Sequence, residues 1–407
     1  MHEMKKTLIV CRSYPMPEDC GSAQRTMHFV RFFESFGPVD LAYSHRGQEA
    51  PFAPSRFERE IQLSRRPPGT RLGRLMRLRR TPLPISEFTE ASQILLWTAV
   101  VDRRYDHIVV RNVYNTAPFF HLPLQYRKRT IIDFADVLSG RLYDDRFGST
   151  KAAHKRAIIA LNHTYLRRYE QRCLRFGAAL FCSRMEMRTV LHEGTDGSAF
   201  VVPNIYSRAG LDGCQPIDGT DKGHVLLFVG ALNYGPNVRG LRWFLESIFP
   251  EFQRQYPDAR LIVVGKSPTP EASALCRGAR DVELHPDEPD LRRHYSRCRA
   301  VVVPLLAGAG TRIKILEAAV ARRPVLSTPI GAEGLDLVDQ QHLLLFRDSV
   351  QFNREYARLL DTVVYRTVTR QAEERVRNRY SAEEFNRAMT DVISRVHAQL
   401  TAGPLSA

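Results

Sequence analysis

Short runs of consecutive apolar residues alternate with longer stretches of helical period along most of this chain. Thr7-Leu8-Ile9-Val10-Cys11 reads as a buried strand. A loop held extended by Pro15 and Pro17 follows, to Gly21. Phe29, Phe32, Phe33 and Phe36 then fall at i, i+3, i+4 and i+7, one apolar helical stripe. Ser22 is placed to cap that helix, and Gly37-Pro38 to end it. Val39–Tyr43 is the next strand, which makes a βαβ opening. Further strands are predicted at 107–111, 129–133, 178–182 and 200–203, with a long basic helix over 151–176 and another over 184–191. Beyond these, the pattern predicts strands at 225–230, 260–265, 281–284, 300–304, 324–327 and 343–346. Helices at about 238–248, 270–278, 289–297 and 311–322 lie between them, and final helices run to about Leu400. Apolar strands alternating with helices predict an α/β protein with doubly wound parallel sheets.

Length turns this into two domains, since 407 residues exceed one core. The expected division is 1–207 with an insertion at 51–84, a Gly-, Asp- and Pro-rich linker at 208–223, a second domain at 224–380 and a closing segment at 381–407. Hydrophobic content of 43% and charged content of 25% belong to a globular protein, and no run of eighteen apolar residues suggests a membrane span. Met1–Lys6 leads straight into a strand and does not read as a secretory signal. The seven scattered cysteines contain no C-x-x-C and read as reduced thiols of a cytoplasmic protein.

The formal net charge of +15 implies an anionic partner: nucleic acid, an anionic membrane face or a phosphorylated substrate. From Arg65 to Arg80 seven arginines (65, 66, 71, 74, 77, 79 and 80) occur without one acid, interleaved with Leu72, Leu75, Met76 and Leu78. This segment suits peripheral contact with an anionic membrane surface; the alternative is a solvated insertion.

The chemistry is concentrated in Gly308-Ala309-Gly310-Thr311-Arg312-Ile313-Lys314-Ile315-Leu316-Glu317-Ala318, between a strand and a helix. A glycine loop there leaves backbone N–H groups and the positive helix end to bind an anion such as phosphate, and Arg312 and Lys314 add charge. Glu317 shares a helical face with Ile313, Leu316 and Val320, so it points inward, where a carboxylate needs partners. Vicinal hydroxyls, as on a ribose, would supply them. The stretch reads as half of a nucleoside diphosphate site, against the plainer reading of a strand-turn-helix with surface charges. The Gly21-Ser22 turn, with Arg25 after it, is a second candidate phosphate-facing helix start or a plain βα turn.

Upstream of the glycine loop stand Val225-Leu226-Leu227-Phe228-Val229-Gly230 and Asn233-Tyr234-Gly235-Pro236-Asn237. Downstream stand Arg323-Pro324-Val325-Leu326-Ser327-Thr328 and Gly331-Ala332-Glu333-Gly334-Leu335. This order resembles the C-terminal half of the retaining family-4 glycosyltransferases of GT-B fold, in the branch reading G-x-x-x-Y-x-P-N and then G-x-G-T-R-x-K-x-L-E-A. Val202-Pro203-Asn204 resembles the family's V-P-N, and Asp133-Phe134-Ala135-Asp136-Val137-Leu138-Ser139 its D-F-V-D-V-x-S. The resemblance implies two facing Rossmann-like domains, an acceptor-binding first domain, and a last helix that returns to it. It implies a nucleotide-sugar donor as substrate, no cofactor, no metal, and transfer to a saccharide or lipid-linked acceptor with retention of configuration.

In that frame Gly21, Ser22, Arg25, Gly230, Asn233, Gly310, Thr311, Arg312, Lys314 and Glu317 bind the donor. Glu317 takes ribose hydroxyls, and Arg312 and Lys314 stabilise the leaving diphosphate. Many members hold a histidine near 136; here Asp136 (or Asp133) is the candidate for sugar contact, the alternative being that both aspartates tie the strand-end loop. The first of the family's two glutamates falls on Ala309, and the usual arginine after the first strand is Ala231, so Arg312 and Lys314, or Arg239, take over its charge. Asp287, Glu288 and Asp290 read as loop and cap residues, with no metal expected. Two competing classes are a non-catalytic glycosyltransferase-like subunit and a basic nucleic-acid-binding protein. The arginines lack interleaved stacking aromatics and no binding motif occurs, so no nucleic acid is expected.

Overall fold

The computed structural model describes residues 4–18, 20–45, 56–65, 85, 88–140, 153–191, 197–206, 211, 214, 223–308 and 310–401. Arg66–Arg80, most of the expected linker and Ala309 lie outside this set. Two compact units emerge: residues 1–203 with 385–407, and residues 204–384.

The first unit runs β1 (Thr7–Ser13), α1 (Gly21–Glu34), β2 (Val39–His45), β3 (Glu60–Gln62), α2 (Glu90–Arg103), β4 (His107–Arg111), α3 (Leu124–Lys128), β5 (Thr130–Asp133), α4 (Ala153–Cys173), β6 (Ala178–Phe181), α5 (Arg184–Val190) and β7 (Ala199–Val201). Its strands pair in the order β3-β2-β1-β4-β5-β6-β7, every pairing parallel. Leu8, Val10, Ile108, Val110 and Ile132 face a core closed by Leu96 and Val100 of α2 and Leu166 and Cys173 of α4. Phe29 and Phe33 of α1 are fully buried, while Phe36 is at the exposed end of the predicted stripe. The expected cap is displaced: α1 starts at Gly21, and extended Cys20 occupies the cap position without a side-chain bond. Ser22 lies inside the first turn, where its carbonyl accepts from Thr26 Oγ1 and Arg111 Nη2.

The second unit runs β8 (Val225–Val229), α6 (Gly235–Trp243), α7 (Phe249–Gln255), β9 (Arg260–Gly265), α8 (Pro270–Gly278), β10 (Val282–Pro286), α9 (Arg292–Arg297), β11 (Ala300–Val303), α10 (Ile313–Val320), β12 (Val325–Ser327), α11 (Pro329–Ala332), β13 (Leu344–Leu345), α12 (Ser349–Arg358) and α13 (Thr362–Arg379). Its parallel order is β10-β9-β8-β11-β12-β13. Residues alternate along each strand between two cores. Leu226, Phe228, Val263 and Val302 face one side with Leu241 and Phe352. Leu227, Val264, Val301 and Val303 face the other with Ile315, Ala319 and Val376. Both faces of each sheet are covered, as the continuous apolar strands require.

The last helix, α14 (Ala382–Thr401), gives Phe385 onward to the first unit. Phe385 meets the Phe29 ring edge-on at 5.2 Å, and His397 lies 5.2 Å from the His107 ring. All seven cysteines are free, and five are buried. Among the described residues, no helix is long and apolar enough to cross a membrane.

Candidate functional site

Strand order in the second sheet reverses between β8 and β11, and ligands of such sheets bind at the carboxyl ends on either side of that reversal. The loops there are the two that carry the sequence motifs. After β8, Gly230 N–H donates to Val264 O and Leu232 N–H to Lys266 O, which folds the chain back toward α6. Asn237, buried in the first turn of α6, donates from Nδ2 to Ala231 O at 2.9 Å. Its Oδ1 accepts from Lys314 Nζ at 3.0 Å. The lysine head also lies 5.1 Å from the centre of the Phe228 ring. A Cβ on Gly230 would come within 2.8 Å of both Asn237 Nδ2 and Lys314 Nζ, so a glycine is needed for this close approach.

After β11 the backbone takes left-handed turns at Gly308 (φ 121°) and Gly310 (φ 86°). The helix expected from residue 311 begins only at Ile313, because Thr311 and Arg312 stay in the loop. Arg312 is buried and folds onto its own loop: Nη2 donates to Gly308 O at 2.8 Å and Ile330 O at 3.0 Å, and Nη1 to Gly310 O. It was expected as a direct phosphate contact; the structure makes it the brace that shapes the glycine loop. Thr311 is half-buried beside it, its carbonyl accepting from Ile313 N–H.

Glu317 is one turn along α10 from Lys314 and half-buried. Its carboxylate makes no hydrogen bond or ion pair with any described residue. Burial pushes the Glu317 carboxyl up to about 7, opposed by the Lys314 charge. Burial, and then the Arg312 guanidinium, pull the Lys314 ammonium down to about 7. The buried Tyr295 hydroxyl nearby is held well above its usual range by burial and by Glu317. Neither charge is fully compensated within the protein. A ligand that presents anionic oxygens to the lysine and hydroxyl donors to the carboxylate matches what each lacks.

Asn233, quoted in the sequence motif, is exposed; the asparagine that meets the lysine is Asn237. Asn237, beside Pro236 in the same motif, was not among the expected donor contacts. The signal was available, because an asparagine just inside a helix start can turn its amide back over the preceding loop.

In the first unit, Asp133 ends β5 beneath two arginines. Arg25 Nη2 meets Asp133 Oδ1 at 2.6 Å, and its Nε lies 3.1 Å from both oxygens. Arg111 Nη1 pairs with the other oxygen, and Arg111 Nε donates to Thr26 Oγ1 at 3.1 Å. All three side chains are buried, at 3% exposure or less. Burial, then the Arg25 charge, push Arg111 down to about 9. Arg25 therefore serves Asp133, not an anion at the Gly21-Ser22 turn: α1 starts early enough to turn residue 25 under the helix. Asp133 ties the strand end, which leaves Asp136 as the sugar-contact candidate. Asp136 is half-buried and follows Ala135, whose φ is 57°.

Arg65, expected at the start of a membrane-facing segment, is instead fixed by Ser44 and Asn115 and packs 4.7 Å over Phe88. Asp287 accepts from Ser267 N–H and Asp290 from Arg292 N–H, as loop and cap residues do.

Residues 223–362 match the family described as glycosyl transferases group 1. An uncharacterized 44.6 kDa protein in the cps region of Klebsiella pneumoniae is 29% identical over 134 residues; the match spans 31% of this chain and 34% of that protein's length. Sucrose-phosphate synthase from Thermosynechococcus elongatus superposes with a TM-score of 0.69 at 16% identity, over 97% of this chain and 100% of that one. HepE of Anabaena, solved with UDP and glucose, gives 0.61 at 14% identity, over 96% and 100%. The fold of the chain is thus that of the GT-B glycosyltransferases, and residues 223–362 carry the glycosyl transferases group 1 match.

Proposed function

We propose that this protein transfers a sugar from a nucleoside diphosphate sugar to a saccharide or lipid-linked acceptor, with retention of configuration and no metal in the transfer step. The observation that carries the reading is the Lys314–Asn237 bond at the strand-order reversal, with Glu317, which has no partner among the described residues, one turn away. On this reading Glu317 takes the ribose hydroxyls and Lys314 meets the diphosphate. Gly310 and Thr311 with the first turn of α10 present backbone N–H groups to the same anion, and Arg312 keeps that loop in shape. Charge growing on the leaving diphosphate is stabilised by a fixed cation, the main electrostatic need of such a transfer. Gly230 leaves room for the lysine head. Asp136 remains the candidate for a polar contact to the sugar, and the Gly21-Ser22 turn follows the carboxyl end of β1.

The match to a protein of a cps region and the net charge of +15 favour an acceptor of the surface-polysaccharide class, reached by peripheral docking on an anionic membrane face on the cytoplasmic side. Flotation with anionic and neutral liposomes at low salt checks that part. The transfer itself is tested by a thermal-shift panel of UDP, GDP, dTDP and ADP, then by release of the preferred diphosphate from its sugar. A ligand that binds the folded form raises the melting temperature. A chain that binds a nucleoside diphosphate yet never turns over its sugar is a non-catalytic subunit, the reading to which Ala309 in place of a glutamate would then point. Stabilisation by none of the four defeats the assignment.

A further inference from the structure

At the far edge of the second sheet, three elements bring two imidazoles and a carboxylate together. His285 lies near the end of β10, Glu288 in the loop that follows, and His294 in α9. One ligand atom from each lies within 4.8 Å of the others, and the imidazole rings are 4.6 Å apart. We propose that His285, Glu288 and His294 form a binding site for a zinc-type divalent cation.

Three observations support this. The first is that the cluster already holds a cation. The Arg293 guanidinium donates from Nε to His294 Nε2 at 3.1 Å and pairs with the Glu288 carboxylate through Nη2. An imidazole nitrogen that accepts from a guanidinium carries its lone pair toward it, which is the form a metal requires. Glu288 Oε2 is 3.6 Å from that same nitrogen, so lone pair and carboxylate converge on one point. The second is that the occupant can leave: the Arg293 side chain is 58% exposed and has water to go to, whereas His294 is fully buried. The third is reach. Tetrahedral ligands around zinc stand about 3.4 Å apart, so closing from 4.8 Å needs about 0.7 Å per ligand.

The donor set chooses among metals. Two imidazoles and one carboxylate suit zinc, cobalt or nickel rather than magnesium or calcium, which take oxygen ligands. Three protein ligands leave a fourth position for water. Affinity is bounded by what surrounds the ligands. Among the described residues the buried His294 Nδ1 has no partner, so the outer hydrogen bond that usually strengthens a metal-bound imidazole about 10- to 100-fold is missing there. Arg293 also has to be displaced. Micromolar binding is expected, and Asp287, Glu288 and Asp290 are then not all plain loop residues: Glu288 is a ligand. The cluster stands apart from Lys314 and Glu317 in the sequence and is no part of the transfer chemistry proposed above.

The test uses the untagged full chain and zinc chloride in a buffer free of phosphate, followed by calorimetry, with cobalt(II) absorption as a second reading. One zinc per chain is expected. His285→Ala and Glu288→Gln should each weaken binding at least about tenfold, and Arg293→Gln should tighten it by removing the competing cation. Melting curves without metal confirm that each variant folds. A wild-type chain that takes up no zinc overturns the proposal. So does zinc uptake unchanged in both His285→Ala and Glu288→Gln, which would place the ion on other donors. Neither result depends on whether the protein transfers sugar.

Discussion

Lys314 Nζ donates to Asn237 Oδ1 at 3.0 Å, and that bond joins the helix after β11 to the helix after β8. The two chain segments it links are 77 residues apart and flank the strand-order reversal. Asn237 is in turn anchored by Ala231 O, so the lysine head is held from a rigid support. Asn237→Ala should leave the fold intact and free the lysine. A hydrogen bond to a charged group contributes about 1.5–3 kcal/mol, so affinity for the preferred nucleoside diphosphate should fall about tenfold or more. Calorimetry beside a melting curve reads both quantities; unchanged affinity in a folded variant means that the lysine does not need this anchor.

Glu317→Gln keeps the shape and removes the charge. Because burial opposes that charge and only Lys314 offsets it, the melting temperature should stay level or rise. Binding of the intact donor should weaken at least about tenfold, since an amide replaces an acceptor that two hydroxyls share. A variant that melts early but binds donor normally would make Glu317 a structural residue.

The pH dependence follows from Lys314. Its folded value of about 7 lies below the ordinary 10.5, so between these limits the unfolded chain holds more protons and this group favours folding increasingly as pH rises. Diphosphate binding has the opposite sign. It requires the ammonium form, so affinity should fall by up to about tenfold per pH unit above pH 7, with uptake of a proton on binding. Titrations at pH 7.5 to 9 in two buffers of different ionisation heat count that proton. A flat affinity profile with no uptake would falsify the direct contact.

Asp133→Ala removes the carboxylate that pairs with both Arg25 and Arg111 and leaves two buried guanidinium groups without that partner. Breaking a buried pair from one side costs about 3–5 kcal/mol, to be read from urea unfolding. Asp136→Asn, three residues on and half-buried, should move stability by less than about 1 kcal/mol and lower turnover instead. Equal stability losses from both would remove the distinction drawn between them.

Most of both parallel sheets was legible because most strands are apolar runs and the crossovers have helical period; β3, with a single buried Ile61 between Glu60 and Gln62, was not. Length then required two cores. The glycine loop and the inward Glu317 were legible for the same reason: periodicity reports which face a residue takes. What periodicity cannot report is where a long side chain ends. Arg25 and Arg312 both read as cations beside a phosphate. One finds Asp133, 108 residues away, and the other finds the carbonyls of its own loop. Asn237 was missed because its partner lies across the sheet, and Gly230 reads as a turn residue until the lysine is seen to occupy the space a Cβ would fill. Ser22 was placed as a cap from its residue type, but the helix starts at Gly21 without any side-chain cap.

The first unit is not a continuous stretch of chain. Phe385, Met389, Val392 and Val396 are buried, and Phe385 covers Phe29. Synthesis therefore delivers the pieces out of order. When residue 203 is made, the sheet it ends still lacks the helix that covers part of it, and the intervening unit has to be translated first. At 5–20 residues per second the delay is roughly ten to forty seconds. For that time Phe29 and its neighbours face solvent on a nascent chain, while the unit encoded later is contiguous and can close by itself. The half that is begun first waits for α14, and a stop codon within that helix would strand it rather than its neighbour.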